Sequence, residues 1–564
     1  MSAHAPHAPF TTSPHESGAS RRQRFLRRWF FVNVLLSGLF GLLWLILRSG
    51  TKPSRLTYPC QQAALSTASL AFGGPLVAAL IAAWRRTLRA LLTPAGVTGA
   101  AVGLFATLGT WGYLSRANAV PRLPIDLPLD YRAKLFHVVN CPQDPVGDRF
   151  IGLDNLLRMM GREGLKFYRS PNVALLAGPD GLLARDDTIL VKINYQWPER
   201  GGTNADLLSG LIRCIIEHPD GFAGEIVVCE NAQFNSTEGF DRAANNAQNT
   251  SLSPHDVVVA FKSQGVKISH YDWTLVRYTS VQEYSAGNLQ DGYVVGAYNA
   301  LLQGRPSYPK FKTEYGTYVS LKHGLWDAVG GTYDREHLKF INLPVLKSHH
   351  STYGATACVK HYMGVVTREL STNSHSAIAR GILGAVIGEV RPADLNILDC
   401  IWINANPNTG PQTPYGGATR RDQLVASTDP VATDIWAVKN ILIPAFLANG
   451  YNPPWPTPSA DPDDPNSAFR RYLDNSLAYI RAAGFDATND FNQIDVRTWN
   501  PLGDLNCDGA TDFGDINPFV LALSNPGGYA TQYPDCEIRN ADINRNGSVG
   551  FDDINPFVSL LAGP

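Results

Sequence analysis

A twelve-residue acidic pattern occurs twice near the C-terminus, and it constrains the fold more than any other feature of the chain. The segments 504–515 and 542–553 begin 38 residues apart, and the same five residues, Ile-Asn-Pro-Phe-Val, follow each of them. Each segment has a glycine at its sixth position, where a loop that wraps a cation must turn sharply. The repeat therefore predicts two EF-hand-type loops, because Ca²⁺ takes six to eight oxygens from positions 1, 3, 5, 7, 9 and 12 of such a loop.

The predicted calcium ligands are the oxygen-bearing groups at those positions. In the first loop they are Asp504, Asn506, Asp508, the Ala510 carbonyl, Asp512 and Asp515. In the second loop they are Asp542, Asn544, Asn546, the Ser548 carbonyl and Asp553. Position 9 of the second loop is Gly550, so we expect a water molecule at that vertex and weaker binding. A pair of Asp/Asn-Gly turns without metal is the alternative, but the duplication favours a metal.

Each loop leads into a segment with apolar residues at helical spacing. These residues are Ile516, Phe519, Val520 and Leu523 after the first loop, and Ile554, Phe557, Val558 and Leu561 after the second. We expect the two apolar faces to pack together. With aspartate at position 12 and no full helix before each loop, residues 503–561 resemble a type I dockerin. The resemblance implies calcium binding, docking to a cohesin domain, and an association with polysaccharide breakdown.

Charge is distributed unevenly along a chain that is nearly neutral as a whole. The 564 residues include 48 basic and 49 acidic side chains, but residues 1–122 carry thirteen Lys/Arg against one acid. Residues 501–564 carry nine acids against two arginines. Such asymmetry indicates segments in different environments. The apolar fraction of 44% excludes a disordered chain, and the near-neutral total argues against a nucleic-acid binder.

Three apolar runs predict membrane-spanning helices within residues 30–114. They cover residues 30–47, about 63–84 and about 93–114, close to the roughly 20 residues that span a bilayer. Five arginines precede the first run and three lie between the second and third, so these segments are expected in the cytoplasm. We therefore expect a multi-pass cell-membrane protein with a disordered basic tail at 1–29 and everything after about residue 115 outside the cytoplasm. A cleaved signal peptide and a twin-arginine export signal are the alternatives for the first run.

None of the eight cysteines forms a Cys-x-x-Cys pair, which excludes a local zinc knuckle, a thioredoxin motif and a clustered iron–sulfur run. Outside the cytoplasm, disulfides become possible. Cys507 and Cys536 flank one turn of the C-terminal module and are the expected pair. Buried thiols are expected for the other cysteines.

The central region, residues 123–500, alternates between strand and helix patterns. Residues 188–194 and 225–230 are short apolar runs on either side of a helical pattern at 203–217, which together predict a βαβ unit. Further strands are expected at 338–343 and 395–403, and helices at 376–388 and 430–440. The expected fold class is α/β: N-terminal transmembrane helices, a central, mostly parallel α/β sheet domain, and a C-terminal EF-hand-like (dockerin) loop–helix pair at 501–564.

Polar residues follow the strands of this region at the edge where open α/β sheets bind their ligands. The candidate catalytic residues are Lys192, Lys347, His349, Lys360 and His375. Lys192 lies within an apolar run, where an unpaired charge is costly, and converging lysines and histidines would suit phosphate or carboxylate. Solvated lysines and hydrogen-bonded histidines are the alternative. Asp429, which directly precedes Pro430, is interpreted as a helix N-cap rather than a catalytic group.

Six stretches between about 185 and 445 resemble the domain of unknown function 362 family. They are residues 191–194, 228–230, 343–349, 359–364, 395–399 and 426–434. The family has no established activity, so the resemblance implies no particular reaction. Some members carry ferredoxin-type clusters, for which this chain lacks the cysteines. Members often have Lys-Asn where this chain has Lys360-His361.

These patterns leave three functions open. The first is a membrane-anchored extracytoplasmic protein with a calcium module, linked to polysaccharide breakdown or cell-envelope assembly. The second is a metal- or cofactor-dependent enzyme that uses the Lys/His cluster, and the third is a non-catalytic binding protein docked through the dockerin-like module. The expected cofactor is calcium. The expected partners are the lipid bilayer, a cohesin-like domain and a carbohydrate or anionic ligand.

Overall fold

The computed structural model describes most of the chain beyond residue 130. The described residues are 131–141, 149–233, 240, 252–371, 375–455 and 460–562, with seven positions between 29 and 40. Contacts divide the chain into two units, residues 1–119 and 120–564. Apart from those seven positions, the predicted basic tail and the three predicted membrane spans lie outside the described residues.

In the second unit, α-helices separate most of the described strands up to residue 272, and seven strands then follow one another before the next α-helix. Its strands are β1 (Ala133–Val138), β2 (Tyr168–Arg169), β3 (Ala177–Gly178), β4 (Thr188–Lys192), β5 (Glu225–Glu230), β6 (Ile268–Asp272), β7 (Gly292–Val295), β8 (Ser307–Lys312), β9 (Tyr318–Ser320), β10 (Gly324–Asp327), β11 (Thr332–Asp334), β12 (Leu338–Asn342), β13 (Val345–Ser348), β14 (Ala355–Thr356), β15 (Leu395–Asn404), β16 (Thr419–Ser427) and β17 (Ile494–Trp499). Its α-helices are α1 (Ile151–Arg162), α2 (Ala205–Ile216), α3 (Pro254–Ser263), α4 (His350–Tyr353), α5 (Cys358–His361), α6 (Ile382–Glu389), α7 (Pro430–Ala437), α8 (Ile443–Ala448), α9 (Ala468–Ala482), α10 (Ile516–Ser524), α11 (Pro526–Gln532) and α12 (Ile554–Leu561).

A ten-stranded sheet forms the centre of this unit. Its strand order is β17-β1-β16-β15-β12-β4-β5-β6, and β13 and β14 extend from β15. Strands β15, β12, β4, β5 and β6 run parallel, whereas β16 runs antiparallel to both of its neighbours. A smaller antiparallel sheet has the order β11-β10-β9-β8-β7. The prediction of a central, mostly parallel α/β sheet is confirmed.

Strand β4 shows why the sheet is covered on both faces. All five of its residues are buried, and Leu190 belongs to one apolar core while Ile189 and Val191 belong to the other. Successive side chains of a strand point to opposite faces, so a strand with three consecutive buried apolar residues at its centre needs a layer of structure on each side. Its one charged residue, Lys192, ends the strand.

Side chains cap the helices that follow the sheet. Asn204 accepts hydrogen bonds from the backbone N–H groups of Asp206 and Leu207 at the start of α2. Asp429 accepts from Val431 and Ala432 at the start of α7. The predicted N-cap role of Asp429 is therefore confirmed.

One helical stretch among the described residues is long and apolar enough to cross a membrane. It covers Pro430–Ala448, and its most apolar 18 residues have a mean hydropathy of 1.4 and are 61% buried. Its apolar side chains belong to the core of the α/β domain, as is common for a central helix of a globular domain. It does not coincide with any of the three predicted spans.

The C-terminal module consists of two loop–helix units that pack through their phenylalanines. The rings of Phe519 on α10 and Phe557 on α12 stack with centroids 4.1 Å apart. Cys507 and Cys536 form a disulfide, as expected. The predicted apolar faces pack only in part, because Val520 and Val558 remain more than half exposed. Each helix thus buries its phenylalanine and turns part of its apolar surface outward.

The C-terminal module contacts the α/β domain directly. Asn155 on α1 donates to Oδ1 of Asn540 at 3.0 Å, and both residues are buried. The indole N–H of Trp499, the last residue of β17, donates to Oδ2 of Asp504 at 2.7 Å. The first predicted calcium loop is therefore joined to the final strand of the sheet.

Candidate functional site: a cavity lined by lysine and histidine

A cavity of about 250 Å³ lies beyond the carboxyl ends of β4 and β5. Its lining residues are Asn194, Gln196, Trp197, Glu230, Lys347, His349, Tyr353, Thr356, Lys360, His361, Met363, Gly364, His375 and Pro411. The position agrees with the general rule that parallel sheets bind ligands at this edge. Four of the five predicted catalytic residues line it: Lys347, His349, Lys360 and His375. The fifth, Lys192, contacts a lining residue.

Lys192 and Glu230 form a buried ion pair at one wall of the cavity. They end the adjacent parallel strands β4 and β5, and Lys192 also donates to the Ile193 carbonyl at 3.2 Å. Burial lowers the pKa of Lys192 and raises the pKa of Glu230 to about 8, because desolvation of each charge outweighs their mutual attraction. The pair therefore has no net charge, whether its shared proton lies on Lys192 or on Glu230.

Gly364 allows the backbone to approach this pair closely. A Cβ at position 364 would lie 2.5 Å from Nζ of Lys192 and 2.6 Å from the carboxylate oxygens of Glu230. Any side chain there would displace one partner of the ion pair. Glycine is therefore required at the end of the 359–364 stretch for a steric reason.

Lys347 lies on β13 and is 1% exposed. Its ammonium donates to the Gly201 carbonyl. Burial and, to a smaller extent, the positive charge of Lys360 lower the pKa of Lys347 to about 7. At neutral pH Lys347 is therefore divided between its ammonium and its free amine.

Lys360 lies on the short helix α5 and is 4% exposed. Its Nζ sits 4.7 Å from the centre of the Tyr353 ring, and within the part of the chain that the structure describes it has no hydrogen-bond acceptor. Burial alone lowers its pKa to about 7. Lys360 is therefore the less well compensated of the two lysines.

Two histidines of the cavity, His361 and His375, are held as neutral rings. Asn342 donates through its amide to Cys358 and Asn396, so its Oδ1 must accept from Nδ1 of His361, 2.7 Å away. This leaves Nε2 of His361 as the basic nitrogen. Burial lowers the pKa of His361 well below its usual value, and it lowers the pKa of His375 to about 4.

The third histidine, His349, is hydrogen-bonded to another residue that lines the cavity. Nδ1 of His349 lies 2.7 Å from the Thr356 hydroxyl, whereas Nδ1 of His375 has no hydrogen-bond partner among the described residues. With His361 and His375 neutral and Glu230 paired with Lys192, Lys347 and Lys360 carry the uncompensated charge among the described lysines and carboxylates of the cavity. A cavity with positive charge, in which the one carboxylate of the described lining is already paired, favours an anionic ligand.

One group of three metal-ligating side chains occurs in the described part of the chain, and it lies away from the cavity. It comprises Asp186, Asp187 and His337, with one ligand atom of each within 4.8 Å of the others. Asp187 and His337 directly precede β4 and β12, at the opposite edge of the sheet. The described residues of the cavity do not form such a group.

His361 is the cavity residue that sequence reasoning left without a role. Its position next to Lys360 put it within a recognised stretch, but its function depends on Asn342, nineteen residues earlier. Tyr353 and Trp197 were also missed, since a single aromatic residue in a loop or in a four-residue helix carries no periodic pattern. The side chain of His350, which neighbours His349, lies outside the described set.

The two C-terminal loops have the same backbone arrangement. Gly509 and Gly547 have positive φ angles of 98° and 90°, so each loop turns at its sixth position as predicted. The carboxylate at position 12 accepts backbone N–H groups across the loop: Asp515 accepts from Leu505 and Asp512, and Asp553 accepts from Asn544 and Gly550.

The first loop holds a buried carboxylate oxygen without a partner. Asp504 is 0% exposed, and its Oδ2 accepts from both Trp499 and Gly509. Its Oδ1 is buried and has no hydrogen-bond donor within the described residues. A buried carboxylate oxygen in this state is costly unless a cation or water meets it. The donor set of the loop, all oxygen, suits Ca²⁺.

The fold and the cavity together define an α/β domain with a cationic site at the carboxyl edge of its sheet. The family model described as Domain of unknown function (DUF362) matches residues 333–439. The match supports the expected resemblance over that part of the chain, which contains Lys347, His349, Lys360 and His375. No curated protein and no solved structure matches the chain.

Proposed function

We propose that the α/β domain binds a small anion, such as a carboxylate or phosphate compound, in the lysine- and histidine-lined cavity. The observation that carries the proposal is the pair of buried lysines, Lys347 and Lys360, in a cavity whose one described carboxylate is already paired with Lys192. An anion placed between them would supply the missing countercharge. It would also raise the pKa of each lysine towards its ordinary value.

The same lysines would also allow the site to catalyse a reaction. An amine with a pKa near 7 is partly unprotonated at neutral pH, and in that form it acts as a base or a nucleophile. Nε2 of His361 is a second basic atom at the wall of the cavity. A non-catalytic binding role uses the same residues, and the distinction depends on turnover.

Calorimetric titration with inorganic phosphate and with acetate tests the proposal. We expect saturable binding of at least one of them, accompanied by proton uptake as Lys360 becomes fully charged. Lys360→Met and Lys347→Met should each weaken binding, and Lys262→Met, on the surface at 43% exposure, should not. Equal binding by all four proteins would refute the proposal.

A second candidate function is calcium binding by the two C-terminal loops. It is supported by the unpartnered Oδ1 of Asp504 and by the repetition of the loop geometry. The ligand positions predicted from the sequence in each twelve-residue loop would hold the ion. The ion would stabilise the module and take no part in a reaction. The bond from Trp499 to Asp504 means that calcium in the first loop would also hold the end of β17.

Calcium titration of the full chain tests this candidate. Two Ca²⁺ ions per chain are expected, with affinities in the roughly 10⁻⁴–10⁻³ M range of extracellular modules or tighter. Substituting Asp504 and Asp542 together by asparagine should abolish binding. A chain that ignores calcium would overturn the candidate.

Docking to a cohesin-like partner is a further part of the proposal. Phe513 and Phe551 occupy the same position in the two loops and are 77% and 83% exposed. Beside them, Ile516 and Ile554 are also exposed, so the module presents a duplicated apolar surface, as docking requires. Substituting both phenylalanines by alanine should abolish calcium-dependent capture of a cohesin panel, and undiminished capture would argue against this surface.

The location and the biological setting are proposals of the same kind. The arginine distribution supports a membrane anchor with the α/β domain outside the cytoplasm, and the dockerin-like repeat supports a link to polysaccharide breakdown or envelope assembly. Turnover on a broad glycan panel would support the carbohydrate link. Its absence would favour an anionic ligand unrelated to glycans.

A further inference from the structure

The two loops exchange an aspartate and a glycine between positions 9 and 11. The first loop has Asp512 at position 9 and Gly514 at position 11, whereas the second has Gly550 at position 9 and Asp552 at position 11. Each loop therefore keeps one aspartate and one glycine, in reversed order. An aspartate at position 11 lies outside the usual set of ligand positions, so its placement must be judged from the structure.

The carboxylate of Asp552 lies among the side chains of ligand positions 3 and 5. Its Oδ2 accepts from Nδ2 of Asn544 at 2.6 Å and from Nδ2 of Asn546 at 2.5 Å. Three side chains from positions 3, 5 and 11 thus surround one point. The amide oxygens of Asn544 and Asn546 accept the backbone N–H groups of Asn546 and Ser548, so a half-turn that brings each oxygen to this point exchanges those bonds for contact with the cation.

The same carboxylate occupies the space that a side chain at position 9 would need. A Cβ at Gly550 would lie 2.7 Å from Oδ1 of Asp552. In the first loop the relation is reversed, since a Cβ at Gly514 would lie 3.0 Å from Oδ1 of Asp512. The glycine in each loop leaves room for the carboxylate two positions away.

We propose that Asp552 is a direct carboxylate ligand of the Ca²⁺ ion in the second loop, in place of the water expected at position 9. The second loop then offers three acidic ligands, Asp542, Asp552 and Asp553, instead of two. Its affinity is accordingly closer to that of the first loop than ligand positions 1, 3, 5, 7, 9 and 12 alone imply. The inference rests on the calcium binding proposed above.

Calcium titration of the full chain, stripped of metal with a chelator, separates the two proposals. The wild-type chain should bind two ions. Asp552→Gly should leave one site unchanged and weaken the other by roughly tenfold or more, because a divalent cation loses a charged ligand at contact distance. The double variant Gly550→Asp/Asp552→Gly, which copies the first loop, should recover most of the lost affinity. Asp535→Asn removes an exposed carboxylate outside the loops and is the matched control.

Each outcome decides one statement. No calcium uptake by the wild-type chain overturns calcium binding itself. Two sites that are unchanged by Asp552→Gly overturn the role of Asp552 alone. If Asp552→Gly weakens both sites, recovery in the double variant supports the ligand role, and failure to recover overturns it.

Discussion

Replacing Lys360 by methionine should stabilise the folded chain at neutral pH. Lys360 is buried, and its ammonium faces the Tyr353 ring. Among the described residues it has no hydrogen-bond acceptor. Methionine has a similar unbranched shape and no charge to desolvate. Removing the ammonium therefore relieves a cost and leaves no described acceptor unsatisfied.

The magnitude follows from the pKa of Lys360, which burial lowers from 10.5 to about 7. Each tenfold change in proton affinity corresponds to about 1.4 kcal/mol, so the protonated lysine costs the folded state up to about 5 kcal/mol below pH 7. The unfolded chain binds the proton more tightly, so the free energy of unfolding rises with pH between about 7 and 10.5. We expect Lys360→Met to gain roughly 2–4 kcal/mol at pH 7 and progressively less towards pH 10.

Urea denaturation of the full chain in detergent, at several pH values from 6 to 10, measures this difference. Lys347→Met should gain less, because it leaves the Gly201 carbonyl without its donor. Lys262→Met, at the surface, should change stability by less than about 0.5 kcal/mol. A Lys360→Met chain that is less stable than wild type at pH 7, or a difference that does not shrink with pH, would refute the reasoning.

Three other predictions follow from the same geometry. Gly364→Ala should destabilise the fold by about 2 kcal/mol or more, since its Cβ would meet the Lys192–Glu230 pair; unchanged urea unfolding would contradict this. Asp429→Ala should cost about 2 kcal/mol, the upper end for an N-cap, because Asp429 also accepts from Thr488; a loss near zero would exclude the capping role. A reporter fused after Pro564 should be active only outside the cytoplasm, and activity inside would refute the proposed orientation.

The strands of the α/β domain were predictable because their apolar runs have few alternatives. A run such as β4 cannot lie at a surface, so it must be covered on both faces, and the intervening helical pattern fixes a parallel neighbour. The antiparallel β16 was not predictable, since its position between β15 and β1 depends on pairing with residues far away in sequence. Local pattern specifies the element, while tertiary pairing specifies the direction.

The convergence of the cavity lysines was predictable for a topological reason. Parallel strands share one carboxyl edge, so Lys192 and the residues after β13 approach each other whatever the details of the loops. The state of each group was not predictable. The pairing of Lys192 with Glu230, and the tautomer of His361, depend on contacts between separate strands and loops.

The C-terminal helices show the limit of periodicity. Spacing alone predicts an apolar face, but it does not say which residues of that face meet the partner. Phe519 and Phe557 stack with each other, and their large rings fill the space between the helices. Val520 and Val558 are left at the outer surface, where an additional partner can bury them.

The cavity and the first calcium loop present the same physical problem with opposite signs. Among the described residues, the ammonium of the buried Lys360 contacts the Tyr353 ring and no hydrogen-bond acceptor, and Oδ1 of Asp504 is a buried anionic oxygen without a donor. An uncompensated buried charge costs several kcal/mol, and replacing it by an apolar group is often neutral or stabilising. The two groups therefore support the proposal that two counter-ions bind, an anion in the cavity and a cation in the loop. If both ions bind, the buried groups that destabilise the ion-free protein become the ligands of those ions.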